Sequence, residues 1–110
     1  MFEGFWLVQY EGMQGNGGGV ITLIKGHVFG GDSQSTYIGT YKSTTTEFSG
    51  TVRIHNYVPG YKNIVGVEGD YDLTISGKLE GDLIKGTGVP VGIQVVGMAF
   101  QMTRLAKIPL

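Results

Sequence analysis

Residues 71–80 read YDLTISGKLE, and their pattern indicates the class of fold. One parity is apolar or glycine (Tyr71, Leu73, Ile75, Gly77, Leu79), and the other is polar or charged (Asp72, Thr74, Ser76, Lys78, Glu80). A period of two over this length is typical of a half-buried β-strand. Residues 47–57 repeat the pattern, and no window carries apolar residues at helical spacing for three turns. We therefore predict an all-β protein.

Turn signals divide the rest of the chain into short segments. Lys25-Gly26 predicts a tight hairpin, residues 43–46 a polar loop, and residues 80–82 another turn. Together they predict eight strands at roughly ten-residue intervals, an arrangement typical of a meander barrel or sandwich. Residues 56–69 lack sustained alternation, so we expect one short helical or irregular connection there.

Five glycines favour a closed barrel over an open sandwich. They fall in the middle of predicted strands: Gly4, Gly39, Gly50, Gly77 and Gly86. Interior glycine weakens a flat strand by up to about 1 kcal/mol, whereas the sharp bends of a closing sheet require it. We predict an eight-stranded up-and-down antiparallel barrel, formed as a single domain by residues 1–110.

Composition excludes several classes of function. The chain has a net charge of −1, and its eight Lys and Arg residues are scattered singly. Direct nucleic-acid binding needs a concentrated positive surface, so we predict none. The absence of cysteine excludes disulfides and thiolate chemistry. There is neither a long apolar run nor a signal-peptide pattern, so we predict no membrane association and a cytoplasmic location.

The polar residues do not form a recognisable catalytic or metal site. His27 and His55 lie on different predicted strands, with no further zinc ligands at a helpful spacing. Ser33, His27 and Asp32 could be combined into a triad, but no nucleophile elbow surrounds them. Asp32 is more simply explained as an Asx-turn residue. We predict no enzymatic activity, no catalytic residue, no metal and no cofactor.

Two further patterns are interpreted as surface features. Residues 12–19, GMQGNGGG, run into the next strand without a Lys-Ser/Thr pair, so we predict a flexible loop at a barrel mouth rather than a phosphate loop. Five acidic residues do not follow a calcium-loop pattern and are assigned to a solvated end of the barrel: Glu68, Asp70, Asp72, Glu80 and Asp82.

Six aromatic residues share the predicted inward phase on neighbouring strands. These candidates for lining a cavity are Trp6, Tyr10, Tyr37, Tyr41, Phe48 and Tyr71. Eight-stranded barrels either fill their interior with side chains or enclose one small ligand, and both alternatives stay open here.

The first strand and the last, predicted from Ile93 to about Leu105, are apolar on both parities. A homodimer would cover the second apolar face, and packing of residues 56–69 against it is the alternative. The candidate dimer surface is Phe5, Leu7, Val96, Met98 and Phe100.

Gly30-Gly31-Asp32, followed by YIGTY at residues 37–41, resembles a barrel motif of the GrlR-like family, small bacterial negative regulators of type III secretion gene expression. The resemblance extends to residues 19–24, 55–59 and 69–73. It implies a lipocalin- or calycin-like eight-stranded barrel that is dimeric, sequesters a transcriptional activator, and has a cavity suited to a lipid.

The chain departs from this family in one loop. The family's regulator carries alternating Glu and Asp before the central strand, where it engages the activator. Here residues 43–46 read STTT, and only Glu47 is acidic. We therefore predict a non-enzymatic regulatory or protein-interaction barrel whose partner is a transcriptional regulator, without that specific acidic contact. The alternative is a barrel that binds or senses a small apolar, lipid-like ligand.

Overall fold

The structure is a computed structural model that describes residues 2–12, 15–59, 69–93 and 97–109. The described residues form eight β-strands and no helix, and so include no helical segment able to cross a bilayer. The strands are β1 (Gly4–Gly12), β2 (Gly15–Ile24), β3 (His27–Gly31), β4 (Ser35–Ser43), β5 (Glu47–Asn56), β6 (Tyr71–Glu80), β7 (Leu83–Pro90) and β8 (Met98–Ala106).

The strands form a closed antiparallel barrel. Each strand pairs with its neighbour in the chain, and β8 returns to pair with β1. At this seam Tyr10 lies opposite Phe100 and Leu7 opposite Thr103, with a shift of register between Phe5 and Trp6. The predicted eight-stranded up-and-down barrel is therefore confirmed.

Burial follows the predicted period of two. In β6, Tyr71, Leu73 and Ile75 are buried, and the residues between them are exposed. Successive side chains of a strand point to opposite faces, so one set faces the barrel interior and the other faces solvent. The alternation seen in the sequence thus places one continuous core inside the barrel.

Two of the mid-strand glycines mark the closest approach between strands. Gly39 lies opposite Val52, and Gly50 lies opposite Tyr41, on the paired strands β4 and β5. A Cβ atom added at Gly39 or Gly50 would lie 2.1 Å from a backbone carbonyl oxygen of the facing strand. The absent side chains therefore allow the tight coiling of β4 against β5 that closure requires.

The predicted hairpin at Lys25-Gly26 is confirmed. β2 ends at Ile24 and β3 begins at His27, which leaves two residues in the turn. Both have positive φ, 50° at Lys25 and 79° at Gly26. A two-residue turn with positive φ at both positions matches the right-handed twist of the flanking strands.

One predicted loop is wrong, and part of another prediction lies outside the described residues. Of the flexible loop predicted over residues 12–19, Gly12 ends β1, residues 15–19 begin β2 and pair with β1, and residues 13–14 lie outside the described part of the chain. Of the connection predicted over residues 56–69, residues 60–68 lie outside the described part of the chain. Residues 94–96 of the predicted last strand also lie outside it, and β8 begins only at Met98.

The up-and-down order gives the barrel two distinct ends. The connections β1–β2, β3–β4, β5–β6 and β7–β8 leave from one end, which we call the mouth end. The turns β2–β3, β4–β5 and β6–β7 lie at the other, which we call the closed end.

Candidate functional site

A cavity of about 80 Å³ lies inside the barrel toward the mouth end. Six strands supply its aliphatic and thioether wall: Val8, Ile21, Val28, Val52, Ile54, Leu73, Ile75, Met98 and Met102. Four aromatic rings and two polar side chains complete the lining: Tyr10, Tyr37, Tyr71, Phe100, Asp32 and Ser35. The volume is about half that of a 150 Å³ cavity that holds benzene, so it suits an apolar group of about four carbons.

The polar side of the cavity is organised around Asp32, in the β3–β4 connection. Its Oδ2 accepts a hydrogen bond from the Tyr10 hydroxyl at 2.7 Å and another from the Tyr37 hydroxyl. Its Oδ1 accepts the backbone N–H groups of Gln34 at 2.8 Å and Ser35 at 2.7 Å. The second pair forms the Asx turn predicted from the sequence. Asp32 thus fixes the loop and both tyrosines at once.

A second group of hydrogen bonds fastens this loop to the end of β5. The Ser35 hydroxyl donates to Asn56 Oδ1 at 2.5 Å, and the Tyr57 hydroxyl donates to the Asp32 carbonyl oxygen at 2.6 Å. Asn56 in turn donates its backbone N–H to Asp70 Oδ1 at 3.0 Å, and His55 Nδ1 lies 2.8 Å from Asp70 Oδ2. The polar rim is therefore continuous from the β3–β4 connection to the start of β6.

The network lowers the pKa of Asp32 and raises the pKa of Tyr37. Burial raises the pKa of Asp32, but the hydrogen bonds from Tyr37, Tyr10 and the two backbone N–H groups outweigh it, so the pKa lies below its usual 3.8. Burial, together with the bond to Asp32, raises the pKa of Tyr37 far above its usual 10.0. Near neutral pH the rim therefore holds an ionised carboxylate and a neutral phenol.

The glycine-rich start of β2 makes room for the two tyrosine side chains. A Cβ atom at Gly17 would lie 2.9 Å from the Tyr10 ring, and one at Gly19 would lie 3.1 Å from the Tyr37 hydroxyl. Side chains at these inward positions would therefore displace the groups that hold Asp32. The sequence signal for this role is the run of glycines before Val20. A flexible loop is predicted there because the strand is expected to start only at Val20, whereas β2 begins at Gly15.

The six aromatic candidates divide between the two ends of the barrel. Tyr10, Tyr37 and Tyr71 line the cavity. Trp6, Tyr41 and Phe48 are buried but do not line it, and Phe48 instead packs with Phe2, Tyr41 and Phe100, with ring centroids 5.5, 6.2 and 6.3 Å away. The interior is therefore filled at the closed end and hollow toward the mouth end.

Phe2 and Glu3 close the interior at the closed end. Trp6, with no exposed surface, donates its indole N–H to the Phe2 carbonyl oxygen at 2.9 Å. The Arg104 guanidinium lies 4.4 Å above the Trp6 ring, bonds to the Glu3 carbonyl oxygen, and pairs with Asp82 at 2.9 Å. These contacts close the interior opposite the cavity mouth.

The candidate dimer surface is corrected at two positions. Phe100 is buried and Met98 half-buried, and both line the cavity, so neither belongs to an outer surface. The pairing of β8 with β7 and β1 turns this parity inward, and the outer face carries Ala99, Gln101, Thr103 and Leu105. Phe5 and Leu7 are half-buried on the opposite parity of β1 from Trp6 and Val8, and Val96 lies outside the described residues.

The other polar candidates do not converge. His27 is exposed and stacks on Phe29, with ring centroids 5.8 Å apart, whereas Asp32 faces the cavity, so the triad of Ser33, His27 and Asp32 is not assembled. The acidic residues are also spread out, because Asp70 and Asp82 flank opposite ends of β6. In the described part of the chain, no three His, Asp or Glu side chains are grouped to hold a metal ion.

No protein-family model matches this chain, and no curated protein matches it significantly. The geometry of the barrel itself is therefore the basis for a functional proposal.

Proposed function

We propose that this protein is a non-enzymatic binding barrel that holds a small, mostly apolar ligand in its cavity. One observation carries the proposal: an apolar cavity bordered on one side by a fixed group of polar atoms around Asp32. Ligand sites commonly combine an apolar wall with a few placed polar groups, because the wall supplies affinity and the polar groups supply orientation.

The volume limits the expected affinity. Burial of a methylene group contributes about 0.8 kcal/mol, so a chain of about four carbons gains roughly 3 kcal/mol before any polar contact. Such a gain corresponds to a dissociation constant of about 6 mM. The ligand is therefore a small molecule present at high concentration, or a longer one whose remaining atoms lie outside the cavity and add contacts.

A cavity-filling substitution tests the proposal. Binding of n-butanol is followed by NMR of isoleucine methyl groups, because Ile21, Ile54 and Ile75 line the cavity, while the exposed Ile38 serves as an internal control. We expect saturable shifts at the first three and none at Ile38. Val8→Phe fills the cavity and should abolish the shifts. Val89→Phe, at an exposed position, should preserve them. Equal shifts in wild type and Val8→Phe would contradict the proposal.

A second candidate function is protein interaction through the outside of the barrel, with a second copy of this chain as the occupant. An apolar patch crosses β1 to β4, where Leu7 lies opposite Val20, and Phe29 lies opposite Ile38. Val20, Phe29 and Ile38 are 47%, 44% and 50% exposed. The side chains of the patch are uncharged, so two copies related by a two-fold axis meet without repulsion.

The dimer is tested by light scattering of the eluting protein. We expect a mass of two chains for wild type and for Val89→Lys, and of one chain for Ile38→Lys, which places a charge within the patch. A wild-type monomer at high concentration would refute the dimer.

The GrlR-like resemblance adds a regulatory hypothesis. Ser43 ends β4, and residues 44–46 form the turn between β4 and β5 at the closed end, where the Thr44 N–H donates to the Glu47 carbonyl oxygen at 2.8 Å. Because this turn lacks the family's acidic run, we propose that a transcriptional regulator takes the place of the second copy on the patch of β1 to β4. A cytoplasmic regulator that copurifies with wild type and equally with Ile38→Lys would contradict that assignment.

A further inference from the structure

The direction of the hydroxyl hydrogens around Asp32 determines what polar group the cavity accepts. A tyrosine or serine hydroxyl has one hydrogen to donate and two lone pairs to accept with. Tyr10 and Tyr37 both direct that hydrogen to Asp32 Oδ2, and Ser35 directs its hydrogen to Asn56 Oδ1. The Tyr10 and Tyr37 oxygens lie 3.2 Å apart, but the carboxylate already receives both hydrogens. The Tyr37 and Ser35 hydroxyl oxygens of the lining are thus set as acceptors toward any ligand.

The charge of the lining also favours a ligand that donates hydrogen bonds. Asp32 supplies a carboxylate, and its low pKa keeps it ionised at neutral pH. Among the described residues that line the cavity there is no Lys, Arg or His. A negatively charged group brought beside Asp32 would meet a like charge, with hydroxyl hydrogens that are already committed elsewhere.

We propose that the cavity selects small apolar molecules that carry a hydrogen-bond donor, with a primary ammonium preferred over a hydroxyl, and that it rejects the carboxylate of the same chain. The proposal rests on the proposed ligand-binding function and names the chemistry of its ligand. The apolar part lies among residues such as Val52, Ile75 and Met102, and the donor points to the acceptors around Asp32.

The experiment compares three probes that share a four-carbon chain: n-butylammonium, n-butanol and butyrate. Each is titrated at neutral pH into protein labelled at isoleucine methyl groups, with Ile21 and Ile75 as cavity reporters and Ile38 as the outer control. We expect the tightest binding for butylammonium, weaker binding for butanol, and at least about tenfold weaker binding for butyrate than for butylammonium.

Asp32→Asn weakens the preference for butylammonium by changing one atom. The Asn side-chain oxygen keeps the Asx turn with Gln34 and Ser35, while its amide nitrogen donates to the tyrosine oxygens and so frees their hydrogens to donate. We expect the preference for butylammonium over butyrate to fall at least about tenfold. Asp72→Asn makes the same change of charge on the outer face, where Asp72 is 49% exposed beside Arg53, and should leave the preference unchanged.

The possible outcomes separate the two proposals. If none of the three probes shifts the cavity reporters, the ligand-binding function itself is wrong. If butyrate binds as tightly as butylammonium in wild type, the cavity binds ligands but the donor selectivity is refuted. If Asp32→Asn does not fold, Tyr37→Phe replaces it, because this variant frees one acceptor position on Asp32. Butylammonium should then still bind at least about tenfold more tightly than butyrate. Tighter binding of butyrate would overturn the proposal.

Discussion

Substituting Gly50 with alanine tests whether close strand approach closes the barrel. A Cβ atom at this position would lie 2.1 Å from the Thr40 carbonyl oxygen and 2.9 Å from Tyr41 Cα, whereas real Cβ atoms essentially never come within 3.0 Å. Both neighbours are backbone atoms, so no side-chain rotation relieves the contact. The strands β4 and β5 must separate locally by about 1 Å, which breaks about two ladder hydrogen bonds.

The magnitude follows from three contributions. Two lost hydrogen bonds cost about 2 kcal/mol, overpacking adds about 1–3 kcal/mol, and the reduced entropy of the unfolded chain returns about 0.4–1 kcal/mol. We expect Gly50→Ala to lower the free energy of unfolding by about 2–4 kcal/mol, which moves the urea midpoint down by about 1–2 M.

The assay is urea denaturation followed by the fluorescence of Trp6, which is fully buried at the closed end. Thr51→Ala, on the exposed face of β5, is the control and should change stability by less than about 0.5 kcal/mol. In an ordinary flat strand, alanine is more stable than glycine by about 0.5–1 kcal/mol. A midpoint for Gly50→Ala at or above that of wild type would therefore refute the role assigned to close approach.

Three further predictions concern the polar network and the closed end. The pKa of Asp32 is lower in the folded protein than in the unfolded chain, so its contribution to stability is present above about pH 4 and disappears as the pH falls through the folded pKa. When the free energy of unfolding is measured at decreasing pH, Asp32→Asn should therefore lose less stability than wild type. Because the pKa of Tyr37 is raised, stability should be constant with respect to this group below pH 10 and fall above it; an absorbance titration in which every tyrosine ionises near pH 10 in the native protein would contradict this. Arg104→Lys keeps the charge but loses the planar stacking on Trp6, and we expect a loss of about 1–2 kcal/mol in urea unfolding, whereas an unchanged midpoint would show that the stacking contributes little.

Each of the two alternatives for the aromatic residues, a filled interior and a ligand cavity, applies to one end of the barrel. Trp6 and Phe48 fill space, while Tyr10 and Tyr37 place hydroxyl groups at the edge of a cavity. The inward parity of all four could be predicted from alternation. Which of them pack together depends on height along the barrel, and that height is set by the stagger between neighbouring strands.

The site around Asp32 could be predicted only in part. The turn function of Asp32 follows from its place in the Gly-Gly-Asp-Ser segment, because an Asx turn involves only neighbouring residues. Its bond to Tyr10 joins residues 22 positions apart and depends on how β1, β2 and β3 pair. No local pattern encodes such a contact.

The all-β class, the hairpin at Lys25-Gly26 and the closure of the barrel could all be predicted from the sequence. Alternation, turn residues and mid-strand glycines are local signals that can be read without the fold. Which face of β8 lies inside the barrel could not be predicted in this way. Residues on both parities of that region are apolar, so nothing local distinguishes them, and a shift of one residue in register would turn Phe100 and Met102 outward. The pairing with β7 and β1 fixes that register, and with it the wall of the cavity.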